Sequence, residues 1–322
     1  MGESGESISI DMEMISFGGQ EFAVETSTGS VLVSVCGDQE RPALITYSDV
    51  ALNCLYVLLP RVTVLPGADS LLLQNFCIYH INAPGMSVDD LADQVAEVLD
   101  FFEVKKVICL GVLAGAYILT LFSMKYRERA AGLILVSPLC RAPSWTECLL
   151  YFYGICGCVK ELLILRFFSE EVRCGTEGAK SDALQACEGY DLLDDRQSSN
   201  VIRFLIAINR RCDLTENLKE LQCKTLIFVG ERSPFYSEAR HMIEKMGCAS
   251  PDLIEIHACG SLVTEEQPDA MLVPLEIFLE SFGFFRRTSS ALRHGSRHSR
   301  PASPPGLGIK LKPIKTRTTV EA

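Results

Sequence analysis

"VICLGVLAGAYILTLFSMKYRERAAGLILVSP", residues Val107–Pro138, predicts a buried strand, a tight glycine turn, an apolar helix and a second buried strand. At the turn, Gly111-Val112-Leu113-Ala114-Gly115 has the Gly-x-nucleophile-x-Gly spacing of a nucleophile elbow, a sharp strand-to-helix turn that carries an attacking side chain. Leu113 stands where a serine, cysteine or aspartate is needed. The stretch therefore predicts a parallel α/β unit with a degenerate elbow formed by Gly111, Leu113 and Gly115.

The segments on both sides of the elbow alternate between strand and helix patterns. Alternating apolar residues with glycine turns predict antiparallel strands over 8–36, and the later pattern predicts strands at 41–49, 75–85, 225–230 and 253–257 and helices at 87–102, 237–246 and 268–285. Residues 140–221 have a helical pattern throughout. An elbow after the fifth strand and a helical insertion after the sixth follow the order of a capped α/β-hydrolase. We predict an α/β-hydrolase-like domain, residues 1–285, whose mostly parallel sheet is flanked by helices and whose cap is inserted at about 140–221.

The acid and base positions of such a hydrolase are both serines. The acid is expected shortly after the strand at 225–230, where Ser233 stands, with Glu231 nearby. The histidine is expected five residues before the Glu266-Gln267-Pro268 turn, where Ser261 stands. His257 falls inside the predicted strand, which favours a structural histidine over a displaced base. With Leu113, Ser233 and Ser261 in the three triad positions, the sequence predicts that the protein is not an enzyme of this class, and it indicates no cofactor or metal site.

Two alternatives stay open at this point. The backbone N–H of Ala114 would still form half of an oxyanion hole, so a small polar ligand could bind there, although we expect the Leu113 side chain to fill the pocket. A residual or unconventional enzyme would need titratable groups close to Leu113, and His80 with Asp49 could supply an acid/base pair.

Charge is distributed unevenly along the chain, whose net charge is −11. From Arg286 onward there are nine Lys or Arg and one acid, so the tail carries +8 and residues 1–285 carry −19. An acidic body argues against nucleic-acid binding. The tail, 286–322, is rich in Ser, Pro and Gly and is expected to be disordered. It is either a solvated extension or a basic arm for acidic lipid or an acidic protein surface, with Ser and Thr that phosphorylation could modify.

Neither a membrane span nor a disulfide framework is predicted. The most apolar run, Leu149–Phe168, is interrupted by charged residues, which favours a helix packed on the sheet, with a partner surface as the alternative. The N-terminus lacks the pattern of a signal peptide, so a cytoplasmic protein is expected. Most of the 14 cysteines lie in apolar runs, which favours reduced core thiols. Cys156-x-Cys158 could form a metal or redox pair, but structural thiols are favoured there as well.

Several motifs together resemble the NDR (N-myc downstream-regulated) family. They include "PALITYSDVALN", "NFCIYHINAPG", "SVDDLADQ", the elbow block from Gly111 and "ACGSLVTEEQP", and the tail motif "GIKLKPIKTR" resembles that of the plant branch. The resemblance extends from about Ser7 to Arg317. It implies an α/β-hydrolase-like but catalytically inactive protein, with an elbow of the form Gly-x-x-Ala-Gly-Ala.

The resemblance also implies a signalling or adaptor protein linked to stress, growth and differentiation. Plant-like members are associated with heterotrimeric G-protein βγ subunits and with auxin transport, so G-protein βγ is the expected partner. The chain departs from the family pattern in two places. Only Met86 separates the Ala83-Pro84-Gly85 turn from "SVDDLADQ", where the family has a longer loop, and Cys54–Ala68 is unusually apolar.

Overall fold

A computed structural model describes residues 19–47, 49, 71–82, 87–145, 147–148, 164–174, 203–247 and 251–283. The chain divides into one unit of residues 1–286 and a second of residues 287–322, and every described residue belongs to the first. The N-terminal part of the predicted meander, the loop after Gly85, Cys156-x-Cys158, most of the run Leu149–Phe168 and the basic tail lie outside the described residues. Predictions about those segments remain predictions.

The described residues of the first unit form one eight-stranded sheet. Its strands, in chain order, are β1 Gln20–Thr26, β2 Gly29–Cys36, β3 Ala43–Tyr47, β4 Cys77–Asn82, β5 Val107–Val112, β6 Ala130–Val136, β7 Lys224–Gly230 and β8 Asp252–Ile256. Their order across the sheet is β1-β2-β4-β3-β5-β6-β7-β8. The β1–β2 and β2–β4 pairs are antiparallel, and all other pairs are parallel. β5, the strand that precedes the elbow, is buried along its whole length because strands pair with both of its edges.

Helices connect the parallel strands. The described helices are α1 Leu71–Asn75, α2 Val88–Phe101, α3 Ala114–Lys125, α4 Glu170–Cys174, α5 Tyr236–Lys245, α6 Val263–Glu266 and α7 Asp269–Glu280, with a 3₁₀ turn at Leu218–Glu220 and helical residues at 164–167 and 203–209. α2 begins as its sequence predicts, because the Ser87 hydroxyl accepts a hydrogen bond from the Asp90 N–H. No helix in the described part of the chain is long and apolar enough to cross a membrane.

The predicted α/β-hydrolase-like fold class is confirmed. The elbow follows the fifth strand, and the helical insertion separates β6 from β7, as the order of elements predicted. Element ends differ by a few residues: α3 begins at Ala114, directly after the elbow, and the last helix ends at Glu280. β8 ends at Ile256, so the placement of His257 inside that strand was wrong.

Candidate functional site

The elbow holds Leu113 in a backbone conformation that L-residues rarely adopt. Its φ is 53° and its ψ is −112°, and its side chain is fully buried. The turn is tight because the Leu113 N–H donates to the Val136 carbonyl at 2.9 Å, while the Leu113 carbonyl accepts from the Tyr117 N–H and begins α3. A Cβ on Gly111 would lie 2.6 Å from the Ala116 Cα, so this close approach requires a glycine. The elbow geometry is present, but leucine provides no nucleophile.

The structure brings the predicted acid and base positions into contact. The Ser233 and Ser261 hydroxyl oxygens are 2.9 Å apart, so the two serines are linked by a hydrogen bond. Such a bond joins acid to histidine in an active triad. Ser261 also donates to the Arg166 carbonyl at 2.8 Å, and Ser233 accepts from the Phe235 N–H at 3.1 Å. Both hydroxyls are buried and occupied by neutral partners, and a serine hydroxyl has no proton affinity comparable to that of imidazole.

A segment of the cap is bound directly to the loop that carries Ser261. The Phe167 carbonyl accepts the N–H groups of Ser261 and Leu262 at 3.0 and 3.1 Å. The Glu266 carboxylate accepts from the Ser169 N–H at 2.8 Å and from the Gly260 N–H at 2.9 Å. The base position is therefore covered by backbone of the cap, and no part of Ser261 is exposed.

An acidic side chain lies at the backbone amide that would bind an oxyanion. The Ala114 N–H, the first amide of α3, donates to Asp49 Oδ2 at 3.4 Å. The Arg166 guanidinium contacts the same oxygen at 3.4 Å, and both side chains are largely buried. From the sequence, Asp49 was considered only as an acid/base partner for His80, and its contact with Ala114 was not predicted. Its position at the end of the segment "LITYSD" was the only signal, because side chains at that edge of a parallel sheet converge on the elbow.

Asp49 and Arg166 belong to a larger network in which acidic and basic side chains alternate. Arg166 Nη1 lies 3.6 Å from Glu147 Oε1, and Arg211 Nη2 lies 3.0 Å from Glu147 Oε2. Arg211 is almost completely buried and also donates to the Arg141 carbonyl at 2.8 Å. Two acids and two arginines thus compensate one another, which is the condition for keeping charges inside a protein. We call Asp49, Arg166, Glu147 and Arg211 the ion network.

A further carboxylate fixes the start of the cap. Glu238, on α5, accepts the N–H groups of Cys140 and Arg141, each at 3.1 Å, and pairs with the Arg141 side chain. Burial raises the pKa of Glu238, but the hydrogen bonds from Cys140 and Arg141 outweigh it and lower the pKa below its usual value. Glu238 therefore remains charged at neutral pH and ties the cap to α5.

The two histidines considered from the sequence lie in unlike surroundings. His80 Nδ1 is hydrogen-bonded to Thr46 Oγ1 at 2.8 Å, and its buried Nε2 has no partner among the described residues. Burial lowers the pKa of His80 to about 4, so it is neutral at pH 7. His257 lies in the turn after β8, with 89% of its side chain exposed, and pairs with Glu231 at 2.6 Å. The expectation of a structural histidine within a strand was therefore wrong for His257.

The described cysteines are free thiols. All nine are unpaired with one another, and five of them are buried. Burial raises the pKa of Cys223 to about 11 and that of Cys259, beside the base position, to about 12. Thiols with such pKa values are protonated at neutral pH and are poor nucleophiles. Within the described ranges, no group of three or more His, Cys, Asp or Glu side chains could hold a metal ion.

Comparison with known proteins identifies a family of relatives. The model of the family described as the Ndr family matches residues 21–286. The protein NDL1 of Arabidopsis thaliana is 51% identical over 345 aligned positions, covering 98% of this chain and 99% of the relative. The pollen-specific protein SF21 of Helianthus annuus is 49% identical over 347 positions, covering 99% and 98% of the two chains. Since that alignment is longer than the 322 residues of this chain, the relative contains segments that this chain lacks.

Solved structures support the fold. A hydrolase from Pseudomonas aeruginosa PA01 superimposes with a TM-score of 0.66 at 18% sequence identity, covering 80% of this chain and 98% of that structure. At this level of identity the likeness extends to the α/β-hydrolase architecture and not to its chemistry.

Proposed function

The chain belongs to the Ndr family, and from that premise we propose that it is a noncatalytic signalling or adaptor protein that uses an α/β-hydrolase fold for binding. The observation that carries this proposal is the hydrogen bond between Ser233 and Ser261 at 2.9 Å, beside an elbow whose central residue is Leu113. Attack, proton transfer and orientation of the base each need a group that these three side chains lack.

The chemistry around the elbow supports a binding role over an unconventional enzyme. Asp49 contributes a negative charge at the Ala114 N–H, where a hydrolase stabilises the negative charge that develops in its transition state. A carboxylate in that position opposes a second anion electrostatically. His80, the other member of the open acid/base alternative, is hydrogen-bonded to Thr46 on the neighbouring strand.

The first experiment asks whether the purified full chain hydrolyses short-chain p-nitrophenyl esters. We expect turnover no faster than in buffer for the wild type, and no burst of product from the Leu113→Ser variant, because Ser261 cannot act as a base. The matched control is Leu119→Ser, which introduces the same side chain at a buried position in the middle of α3. Turnover by the wild type that Leu113→Ser alters and Leu119→Ser does not would establish the enzyme alternative.

For the partner, we propose heterotrimeric G-protein βγ, with the protein acting in the cytoplasm in growth, auxin-transport or stress signalling. This part rests on the family resemblance, and the acidic charge of residues 1–285 provides charged groups through which salt would affect binding.

The second experiment measures equilibrium binding of the full chain to purified G-protein βγ at several salt concentrations, with the Arabidopsis relative measured alongside. We expect saturable binding that weakens as salt increases, because charges at the rim of an interface are screened. If the relative binds G-protein βγ and this chain does not under the same conditions, G-protein βγ is excluded as the partner. The noncatalytic assignment is tested separately by the ester assay.

A further inference from the structure

We propose that Asp49 is an internal anion that closes the vestigial oxyanion site and, through Arg166, holds the cap against the elbow. In this contact, a side chain of the protein occupies the place where an active hydrolase accepts the charged oxygen of its substrate. The proposal does not depend on which partner the protein binds.

The Asp49 carboxylate lies at the N-terminus of α3. Its Oδ2 accepts the Ala114 N–H at 3.4 Å, and Ala114 is the first residue of the 12-residue helix α3. A negative charge there is favoured by the unpaired amides and the dipole of the helix. Asp49 is only 2% exposed, so its charge is kept in place by protein groups and not by bulk water.

The Arg166 guanidinium shares this oxygen of Asp49. Arg166 Nη2 lies 3.4 Å from Asp49 Oδ2, and the guanidinium stacks over the Phe235 ring at 4.5 Å from its centroid. Its own backbone carbonyl accepts the Ser261 hydroxyl at 2.8 Å. One cap residue therefore contacts both the oxyanion position and the base position of the former triad.

Arg166 is connected to the rest of the cap through Glu147. Glu147 lies between Arg166 and Arg211, at 3.6 and 3.0 Å, and 1% of the Arg211 side chain is exposed. Glu147 comes from the first part of the insertion, Arg166 from its middle and Arg211 from its last part. Removing one charge from the ion network leaves a neighbouring charge uncompensated in a largely dry environment, which is strongly unfavourable.

Separation of the segment 164–174 from the elbow requires that the Asp49–Arg166 contact break, and the segment 203–211 is joined to that contact through Glu147. Neutralising Asp49 should therefore loosen both cap segments, although Asp49 itself belongs to the sheet side of the site.

The test uses the full chain and three variants. Asp49→Ala removes the anion, and Asp49→Asn keeps its shape without the charge. Asp100→Ala is the matched control, because it removes a carboxylate that pairs with Arg129 at 2.7 Å on the protein surface. Hydrogen exchange is followed for peptides that cover 164–174 and 203–211, and the Ala114 amide proton is followed by NMR.

In Asp49→Ala we expect about tenfold faster exchange in both cap segments and an upfield shift of the Ala114 amide proton. Sodium acetate should reverse both effects, whereas sodium chloride at the same ionic strength should not, because a carboxylate fits between the amide and the guanidinium. Asp100→Ala should exchange like the wild type in these segments. Unchanged exchange in Asp49→Ala, or equal effects of acetate and chloride, would overturn the proposal. If Asp49→Ala does not fold, Asp49→Asn decides: cap exchange equal to the wild type would overturn the proposal.

Discussion

Replacement of Leu113 by glycine and by alanine should reverse the usual order of stability of these two substitutions. In most buried positions the glycine variant is less stable, because glycine increases the entropy of the unfolded chain. Leu113, however, has a φ of 53° and a ψ of −112° in the elbow, a conformation that costs an L-residue free energy and costs glycine little.

The magnitude follows from two opposing terms. A residue held in a sparsely populated backbone region costs about 1 to 3 kcal/mol, and glycine avoids most of this cost. The greater entropy of the unfolded glycine chain lowers stability by about 0.4 to 1 kcal/mol. The free energy of unfolding of Leu113→Gly should therefore be about 1 kcal/mol higher than that of Leu113→Ala, so the glycine variant is the more stable of the two. Both variants should be about 2 to 5 kcal/mol less stable than the wild type, because each removes a fully buried leucine side chain.

Urea unfolding followed by circular dichroism at 222 nm measures this difference. Fluorescence is a poor probe here, because the single tryptophan, Trp145, is 78% exposed in the native state. Leu119 provides the control, since it is also fully buried but lies within the regular helix α3. There, Leu119→Gly should be about 1 kcal/mol less stable than Leu119→Ala. If glycine is also the less stable substitution at Leu113 by a similar amount, the elbow conformation does not strain an L-residue as expected.

Three further predictions concern buried or partly buried polar side chains. Ser261→His should lower the free energy of unfolding by about 1 to 3 kcal/mol, because the Ser261 hydroxyl is packed against Ser233 and the Arg166 carbonyl. An unchanged urea midpoint would show that the site has room for an imidazole. Burial lowers the pKa of His80 in the folded state to about 4, so the free energy of unfolding of the wild type should fall by about 3 kcal/mol as pH falls from about 6.5 to 4. The His80→Gln variant should lose less. Parallel profiles of unfolding free energy against pH would contradict this prediction. Glu238→Gln should lower the free energy of unfolding by about 1 to 3 kcal/mol at pH 7. Since the folded pKa of Glu238 is lowered, the difference in unfolding free energy between the variant and the wild type should shrink under acid conditions in which that carboxyl is protonated. A difference independent of pH would argue against a charged Glu238.

The histidine after β8 illustrates where sequence reasoning failed. The apolar pattern extends through "LIEIH", and it gave no sign that pairing with β7 stops at Ile256. One residue beyond the last pair, the chain turns, and His257 points to solvent beside Glu231 instead of packing in the sheet. Strand ends are set by where the neighbouring strand stops, and a local pattern contains no information about that neighbour.

The sequence by itself determined the parts of this protein that depend on local periodicity. It located the tight turn at Leu113 and the alternation of strands and helices, because strand, turn and helix signals lie within a few residues of one another. It also predicted Leu113, Ser233 and Ser261 as the vacant triad positions. Only the tertiary structure decided which charges surround the elbow. Asp49 meets Ala114 across 65 residues of chain and Arg166 across 117, and Arg166 itself looked like a mere interruption of an apolar run. Such contacts arise because the sheet order and the cap bring distant segments together, and a charge becomes buried only where its partner is already in place.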